Sequence, residues 1–195
     1  MMEQFKRTIM TGQEIDKAID RMATETLSAY PDLSNVAVVG VKTNGVPLAQ
    51  RLINKLEIMS GLHLDLGMLD INLYMEDWQA IAERPIIHTT EIPFSLRNKN
   101  IILVDDILAS GRTIQAAMES LLDGGRPHSI WLAILIDIGR RRFPIQPDFC
   151  GITEAVDDDE ILLIKLREME GPLPDMPEGV VVSPRIQIAS LALKR

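Results

Sequence analysis

Two adjacent carboxylates, Asp105 and Asp106, follow a run of apolar residues and precede a turn of small residues that includes Ser110 and Gly111. Neighbouring carboxylates can accept hydrogen bonds from ribose hydroxyls, or hold Mg²⁺ directly or through water. The start of the helix predicted after the turn offers unpaired N–H groups and the positive end of a helix dipole, which favour a phosphate. The stretch 101–117 therefore predicts a site for a sugar phosphate.

The turn itself is suited to an anion. Gly111 would let the backbone approach a ligand closely. Ser110 and Thr113 add hydroxyl donors, and Arg112 adds a positive charge. A plainer alternative is that the two aspartates only end a strand and cap a helix. The order of two carboxylates, a glycine turn and two hydroxyl residues favours the ligand site.

Apolar patterns predict the elements that would position this segment. Short continuous apolar runs are typical of strands buried on both faces, and three occur: residues 36–41, 100–104 and 129–136. Apolar residues spaced by three and four predict a helix at 13–28 and another after Gly111 that Gly124 and Gly125 end. Pro47, at a first-turn position, begins a third predicted helix that runs to about residue 59. This alternation predicts a parallel α/β sheet flanked by helices, with ligands at its carboxyl edge.

The remaining segments have weaker patterns. Alternating apolar and polar residues over 62–68 predict a half-exposed strand. Residues 75–98 have no clean period and are interpreted as a long loop of the kind that often forms a lid. We expect the acidic residues 153–195 to be appended, with a strand at 161–166, to the edge of one domain that spans all 195 residues.

Composition excludes several classes of protein. The 46% hydrophobic and 25% charged residues are typical of a globular protein, and the single cysteine, Cys150, excludes a disulfide framework or a Cys-rich zinc site. The sequence shows no signal-peptide pattern and no run of membrane-spanning length, so we expect a cytoplasmic protein without a membrane partner. A net charge of −8 disfavours a large nucleic-acid-binding surface without excluding a local one.

The stretch IILVDDILASGRTIQAA (101–117) resembles the 5-phosphoribosyl-1-pyrophosphate (PRPP) binding motif of type I phosphoribosyltransferases. The resemblance extends to the PyrR group, whose members act as pyrimidine operon regulators and uracil phosphoribosyltransferases. Five more segments carry it: VVGVKTNGVPLAQRL (38–52), LDINLY (69–74), IPF (92–94), LLDGGRPHSIWLAILID (121–137) and PIQPDF (144–149). It implies the type I fold with a flexible lid loop, and transfer of 5-phosphoribose from PRPP to uracil, giving UMP and pyrophosphate.

The resemblance also implies how PRPP would be held. Asp105 and Asp106, as the catalytic pair, would bind the ribose hydroxyls and the Mg²⁺ cofactor. The 5-phosphate would lie in the loop of Ala109, Ser110, Gly111, Arg112 and Thr113. Pyrophosphate would lie in the turn of Lys42, Thr43, Asn44 and Gly45. Taken by itself, without the resemblance, that turn is better interpreted as a plain connection between strand and helix.

On the base side, the resemblance implies a pocket formed by Asp137, Ile138 and Phe149, and a lid formed by residues 74–90. The aromatic ring of Phe149 could stack on a pyrimidine or simply pack in the core, and the residues alone do not decide between the two. The basic triplet 140–142 is interpreted as a solvated turn in preference to a ligand contact.

The chain departs from the PyrR pattern at three positions. Asn44 stands where a second basic residue is usual, and Met75 and Ile138 stand where arginines are usual. These departures motivate an alternative function, a catalytically weak regulator that binds PRPP or a nucleotide. The sequence does not fix which base is used.

The resemblance also concerns partners. PyrR regulators bind messenger RNA through a basic face, but the corresponding segment here reads EAVDDDE (154–160), and the helix at 13–28 is rich in acids. Phosphate contacts need cations, so we expect RNA binding to be weak or absent. The family forms dimers or larger oligomers, and we expect a homodimer or a higher homo-oligomer here.

Overall fold

A computed structural model of the chain describes residues 6–71, 90–169 and 177–184. Its elements in chain order are β1 (Arg7–Thr11), α1 (Gly12–Ala29), β2 (Val36–Val41), α2 (Gly45–Ser60), β3 (Asp65–Leu69), β4 (Asn100–Leu108), α3 (Arg112–Gly124), β5 (Ser129–Asp137), β6 (Phe149–Thr153), β7 (Glu160–Lys165) and β8 (Gly179–Pro184). None of the helices in these ranges is long and apolar enough to cross a membrane.

The centre of the fold is a parallel sheet of five strands in the order β3-β2-β4-β5-β6. On one face, α1 and α2 pack against β4 residues such as Ile102 and Val104. On the other face, α3 packs against Ile101 and Leu103. Because successive side chains of a strand point to opposite faces, a continuous apolar run can be buried by both helical layers. The predicted parallel α/β sheet flanked by helices is confirmed.

A second, antiparallel sheet of three strands in the order β1-β8-β7 contains the strand predicted near 161–166. That strand, β7, pairs with β8 and is not part of the central sheet. Met10 of β1 and Val180 of β8 are buried in the same cluster as α1 and α2. The small sheet therefore packs on the layer of α1 and α2.

Several element boundaries differ from their predictions. The helix predicted at 13–28 begins one residue earlier, where Thr11 and Glu14 form a capping box. The strand predicted at 100–104 continues to Leu108, since β5 pairs beside it as far as Asp137. β6 was not predicted. Of the predicted loop 75–98, only residues 90–98 lie within the described ranges, and there Glu91 forms an antiparallel bridge with Met68.

Candidate active site

Asp105 and Asp106 lie within β4, close to the carboxyl edge of the central sheet. Because they are adjacent in a strand, their side chains point to opposite faces. The side chain of Asp105 is 5% exposed, and its Oδ1 accepts a hydrogen bond from the Asp106 N–H at 2.9 Å. Oδ1 of Asp106 accepts one from the N–H of Ile107 at 2.7 Å. Backbone donors thus hold both carboxylates at the end of the strand.

The buried position of Asp105 changes its acidity. Burial raises the pKa of Asp105 well above its ordinary value, and the neighbouring charge of Asp106 raises this pKa further. A buried carboxylate is usually stabilised by a nearby cation. Within the described ranges, however, no ion pair includes either aspartate. The fold therefore holds at this point a carboxylate that a cation or a set of hydroxyl donors would stabilise.

The turn of Lys42, Thr43, Asn44 and Gly45 lies directly beside this pair. The side-chain amide of Asn44 donates a hydrogen bond to Oδ2 of Asp106 at 2.8 Å. A Cβ added to Gly45 would lie 2.5 Å from the carbonyl oxygen of Val104, so only glycine allows α2 to begin this close to β4. The turn predicted to hold pyrophosphate and the two aspartates are brought together.

Lys42 supplies the positive charge of this turn. Its Nζ lies 3.9 Å from Oε1 of Glu91, and its side chain is 21% exposed. Thr43 is exposed beside it. The helix that follows begins at Gly45, two residues before the predicted start at Pro47. The first free N–H groups of α2 therefore belong to the turn itself, which suits it to bind an anion.

The loop from Ala109 to Thr113 joins β4 to α3. Gly111 has a φ of +90°, a left-handed conformation that L side chains rarely adopt, and it caps the amino end of α3. The side-chain hydroxyl of Ser110 accepts a hydrogen bond from the N–H of Arg112 at 3.3 Å, and the Arg112 side chain is exposed. The predicted phosphate loop therefore lies at a helix amino terminus, on the edge of the sheet that carries the aspartates.

Asp137 ends β5 at the same edge. Its Oδ2 accepts a hydrogen bond from Nη2 of Arg141 at 2.5 Å, and its Oδ1 accepts one from the N–H of Gly139 at 2.8 Å. Ile138, which follows, lines a cavity of about 470 Å³. Both predicted residues therefore lie at the carboxyl edge, with Asp137 already engaged by the loop that follows it.

Phe149 lies elsewhere, which corrects its assignment to the base pocket. It begins β6 and pairs with Ala133 in the middle of β5, so it lies in the interior of the sheet and not at its carboxyl edge. Its side chain is 4% exposed, and its ring meets the ring of Tyr30 edge-on, with 6.3 Å between centroids. The structure favours core packing over stacking on a base, because the buried ring packs within the hydrophobic core.

The cavity that Ile138 lines lies between the carboxyl edge of the central sheet and strand β7 of the small sheet. Its walls are mostly aliphatic, with charged groups at Arg140, Arg142, Asp158 and Glu160; the aliphatic members are Ile107, Ala109, Ile138, Val156, Ile161 and Leu162. Val156 and Ile161 were not predicted as site residues, because residues 154–162 come near the carboxyl edge only through pairing in the small sheet. Such a cavity can take a planar, weakly polar ring beside Ile107, the residue that follows the two aspartates.

Arg141 was also missed, because the interpretation of the basic triplet as a solvated turn is wrong for it. Its side chain is 18% exposed and donates to three backbone carbonyls as well as to Asp137. Arg140 is partly buried too, and it bonds the carbonyl of Val156 and pairs with Asp158. Only Arg142 of the triplet is exposed.

The oxygens at the site fit a magnesium ion. Among the described residues no cluster of three or more metal-ligating side chains occurs. Mg²⁺, however, is usually held by one or two carboxylates together with water and substrate phosphates. Asp105 and Asp106 each offer such a carboxylate, one on either face of β4, and the buried Asp105 carboxyl is a group that a nearby cation would stabilise. The donor set therefore suits Mg²⁺ bound together with a phosphorylated substrate.

A family model described as a phosphoribosyl transferase domain matches residues 7–162. This chain belongs to the phosphoribosyltransferase family. Within the family it is of the PyrR type: it is 43% identical over 166 residues to the bifunctional protein PyrR of Deinococcus radiodurans, covering 85% of this chain and 91% of that one. It is 39% identical over 179 residues to the bifunctional protein PyrR of Acetivibrio thermocellus, covering 90% and 97%.

Solved phosphoribosyltransferases share the fold at much lower identity. The hypoxanthine phosphoribosyltransferase of Trypanosoma cruzi superposes with a TM-score of 0.75 at 15% identity, covering 100% of this chain and 99% of that one. The enzyme of the same name from Staphylococcus aureus gives 0.66 at 19%, covering 94% and 95%. These likenesses confirm the predicted type I phosphoribosyltransferase fold, and the resemblance to the PyrR group is confirmed by the relatives.

Proposed function

We propose that this chain transfers 5-phosphoribose from PRPP to uracil, giving UMP and pyrophosphate, with Mg²⁺ as cofactor. One observation carries the proposal: the 2.8 Å hydrogen bond from Asn44 to Asp106 joins the turn at the start of α2 to the acidic pair that precedes the α3 loop. Two helix amino ends and two carboxylates thus meet at one edge. A molecule with phosphates at both ends of a ribose matches that arrangement.

In this proposal the protein binds PRPP by its three parts. The N–H groups at the start of α3, with Ser110 and Thr113, hold the 5-phosphate. The turn from Lys42 to Gly45 holds pyrophosphate. Asp105 and Asp106 accept hydrogen bonds from the ribose hydroxyls, and Mg²⁺, when bound, would neutralise negative charge on the departing pyrophosphate. Holding both reactants in line is the main catalytic contribution, because no nucleophilic side chain is needed.

In the reaction, a ring nitrogen of uracil forms a bond to C1 of the ribose as the bond from C1 to pyrophosphate breaks, and the configuration at C1 inverts. Positive charge develops on the ribose and negative charge on the leaving group. The carboxylates of Asp105 and Asp106 favour the first, and Lys42 with the amides of its turn favours the second. The nitrogen's proton leaves to solvent or to a phosphate oxygen.

The base would occupy the cavity beside Ile107 and Ile138. Its aliphatic walls exclude water from the reacting carbon, which protects PRPP from hydrolysis. The choice of uracil rests on the PyrR relatives, whose group the sequence resembles. Asp137 would shape the pocket from its floor, through the loop that it anchors.

The test is an assay of purified protein with PRPP, Mg²⁺ and a panel of free bases: uracil, cytosine, hypoxanthine, guanine and adenine. We expect uracil to be the only base of the panel that gives a nucleotide, with formation of UMP and release of pyrophosphate. Nucleotide formation from a purine in place of uracil would reject the proposed base. PRPP binding without nucleotide formation from any base would reject the transferase.

A catalytically weak regulator that binds PRPP or a nucleotide is the second candidate. It is favoured by the charge of the pyrophosphate turn, in which Asn44 is neutral and Lys42 lies near Glu91. A turn with one partly neutralised cation holds a leaving pyrophosphate less strongly than a turn with two. The base panel separates the two candidates, since the regulator would bind PRPP and turn over slowly.

We propose that binding to pyrimidine leader RNA is weak or absent. Segment 154–160 carries five acids, and its described ion pairs to Lys6, Arg7 and Arg140 neutralise only part of this charge. A salt-dependent gel shift tests this, and tight, sequence-specific binding would contradict it.

We further propose that the chain forms a homo-oligomer, at least a dimer. Sedimentation equilibrium tests this, and a monomeric mass would contradict it.

A further inference from the structure

The guanidinium of Arg141 bridges the ends of two neighbouring strands and the loops that follow them. Nη1 donates to the carbonyls of Leu108 at 3.3 Å and Ala109 at 3.0 Å, at the point where β4 ends. Nη2 donates to Asp137 at 2.5 Å, where β5 ends, and Nε donates to the carbonyl of Ile145 at 2.6 Å. All three nitrogens are therefore engaged, and the side chain is only 18% exposed.

The backbone beside Arg141 reinforces this bridge. The N–H groups of Arg142 and Phe143 both donate to the carbonyl of Ser110, at 2.9 and 3.2 Å. A Cβ added to Gly111 would lie 3.2 Å from Cδ1 of Ile145, so the segment 142–145 packs directly over the phosphate loop. The loop after β5 thus covers the loop after β4, and Arg141 is the side chain that joins them.

The two joined loops carry different parts of the candidate site. The loop after β4 holds the residues proposed for the 5-phosphate. The loop after β5 contributes Ile138, Arg140 and Arg142 to the walls of the cavity proposed for the base. The position of the cavity relative to the phosphate loop therefore depends on what holds the two loops in register.

We infer that Arg141 is a positioning residue for phosphoribosyl transfer, which fixes the base cavity at the correct distance from the 5-phosphate loop. The inference rests on the proposed function and deepens it. The ribose of PRPP spans the space between the phosphate and the base, so a shift of one loop moves the attacking nitrogen away from C1. A displacement of about 1 Å can cost about a hundredfold in rate.

The chemistry of the bridge requires a guanidinium. Arg141 meets four acceptors that lie around the planar fork, whereas a lysine ammonium is a single point with three donors. Lysine at this position could keep the contact with Asp137 and lose one or more of the backbone contacts. A graded series of Arg, Lys and Gln therefore weakens the bridge in steps without changing the residues that touch substrate.

The experiment compares wild type, Arg141→Lys, Arg141→Gln and the control Arg126→Gln. Arg126 is an exposed arginine in the connection between α3 and β5. Each protein is measured for thermal unfolding, for KM of PRPP and uracil, and for kcat. For Arg141→Gln we expect both KM values to rise and kcat/KM to fall about 10- to 100-fold. Arg141→Lys should lie between it and wild type, and Arg126→Gln should match wild type.

A purely structural role for Arg141 predicts a different result: less folded protein and a lower melting temperature, with both KM values unchanged in the fraction that folds. That result in Arg141→Lys, or in Arg141→Gln where it folds, overturns the inference. If wild type binds PRPP but transfers to no base, the proposed function fails, and the dissociation constants of PRPP and UMP in the same variants decide on Arg141. If wild type binds no PRPP, both fail.

Discussion

Two acidic regions of this molecule treat their carboxylates in opposite ways. At the carboxyl edge of the central sheet, Asp105 is buried with hydrogen bonds but no ion pair in the described ranges, and its pKa is raised. At the junction of the small sheet with α1 and α2, Glu168 pairs with the buried Arg51, and its pKa is lowered. The fold leaves charge unbalanced where a ligand would balance it, and balances it where it serves stability.

The paired region is a network around one buried arginine. Arg51 of α2 is 7% exposed and meets three carboxylates: Asp16 of α1 at 3.1 Å, Glu168 at 2.6 Å, and Glu178, which precedes β8. Arg167 approaches the same three carboxylates from the exposed side. Glu168 and Glu178, which lie in the segment predicted to be an acidic appendage, thus connect the small sheet to α1 and α2.

The largest effect is expected from removing the centre of this network. Arg51→Gln leaves three carboxylates without their shared cation, and we expect it to lower the free energy of unfolding by about 3–5 kcal/mol, measured by urea denaturation. Lys55→Gln, one turn further along α2, removes the half-exposed pair with Asp20 and should cost less than about 1 kcal/mol. Equal costs for the two variants would break the contrast between buried and exposed pairs.

The unpaired region should respond in activity before stability. Asp106→Asn keeps the shape of the side chain but removes the charge near the ribose, so we expect kcat/KM for PRPP to fall by about 100- to 1,000-fold. Asp123→Asn removes an exposed carboxylate at the end of α3 and is the matched control for the loss of one negative charge. Transfer at the wild-type rate by Asp106→Asn would remove this residue from the site.

The opposite pKa shifts predict opposite dependences of stability on pH. The lowered pKa of Glu168 contributes stability that is present when the pH is above its ordinary pKa of 4.5. This contribution is lost as the pH falls through its folded-state pKa. The raised pKa of Asp105 contributes stability that is fully present when the pH is below its ordinary pKa of 3.8. This contribution is lost as the pH rises through its folded-state pKa.

In urea denaturation at pH 3.5 to 7.5, Glu168→Gln should therefore be most destabilised at neutral pH. Asp105→Asn should instead gain stability relative to wild type as the pH rises, because the amide carries no buried charge. The two difference curves should slope in opposite directions. Parallel curves would show that both carboxylates are stabilised in the same way, against the contrast drawn here.

The smallest effect is expected from the hydrogen bond that joins the turn to the acidic pair. Asn44→Ala removes the amide that donates to Asp106 at 2.8 Å, and a single hydrogen bond of this kind corresponds to about a 2- to 12-fold change. We expect KM for PRPP to rise within that range, with uracil affinity unchanged, in steady-state kinetics. Gln50→Ala, on the exposed face of α2, should leave both constants unchanged.

Local pattern was sufficient for the elements that position the site. The apolar runs of β2 and β5 and the periodicity of α1 and α3 gave the central sheet and its helices, because burial on two faces leaves a strong signal in the sequence. The acidic pair was recognised from the residues that surround it. Its position inside β4 was not, since the ladder to β5 continues through residues that disfavour strands.

The remainder depended on contacts between distant residues. β1 pairs with β8, some 170 residues away, and neither strand has a pattern that names its partner. Arg141 reads as part of a basic turn, because its acceptors are mostly backbone carbonyls, which every residue possesses. Phe149 could serve a pocket or a core, and only the register of β6 against β5 places it in the core.

The central claim is that Asp105 and Asp106, with the turns beside them, bind PRPP. It is tested most directly by isothermal titration calorimetry of PRPP with Mg²⁺ into wild type and into the double variant Asp105→Asn/Asp106→Asn. The account predicts saturable binding at one site per chain in wild type, lost in the double variant although it remains folded. No heat with wild type, or equal affinity in the two proteins, would contradict it.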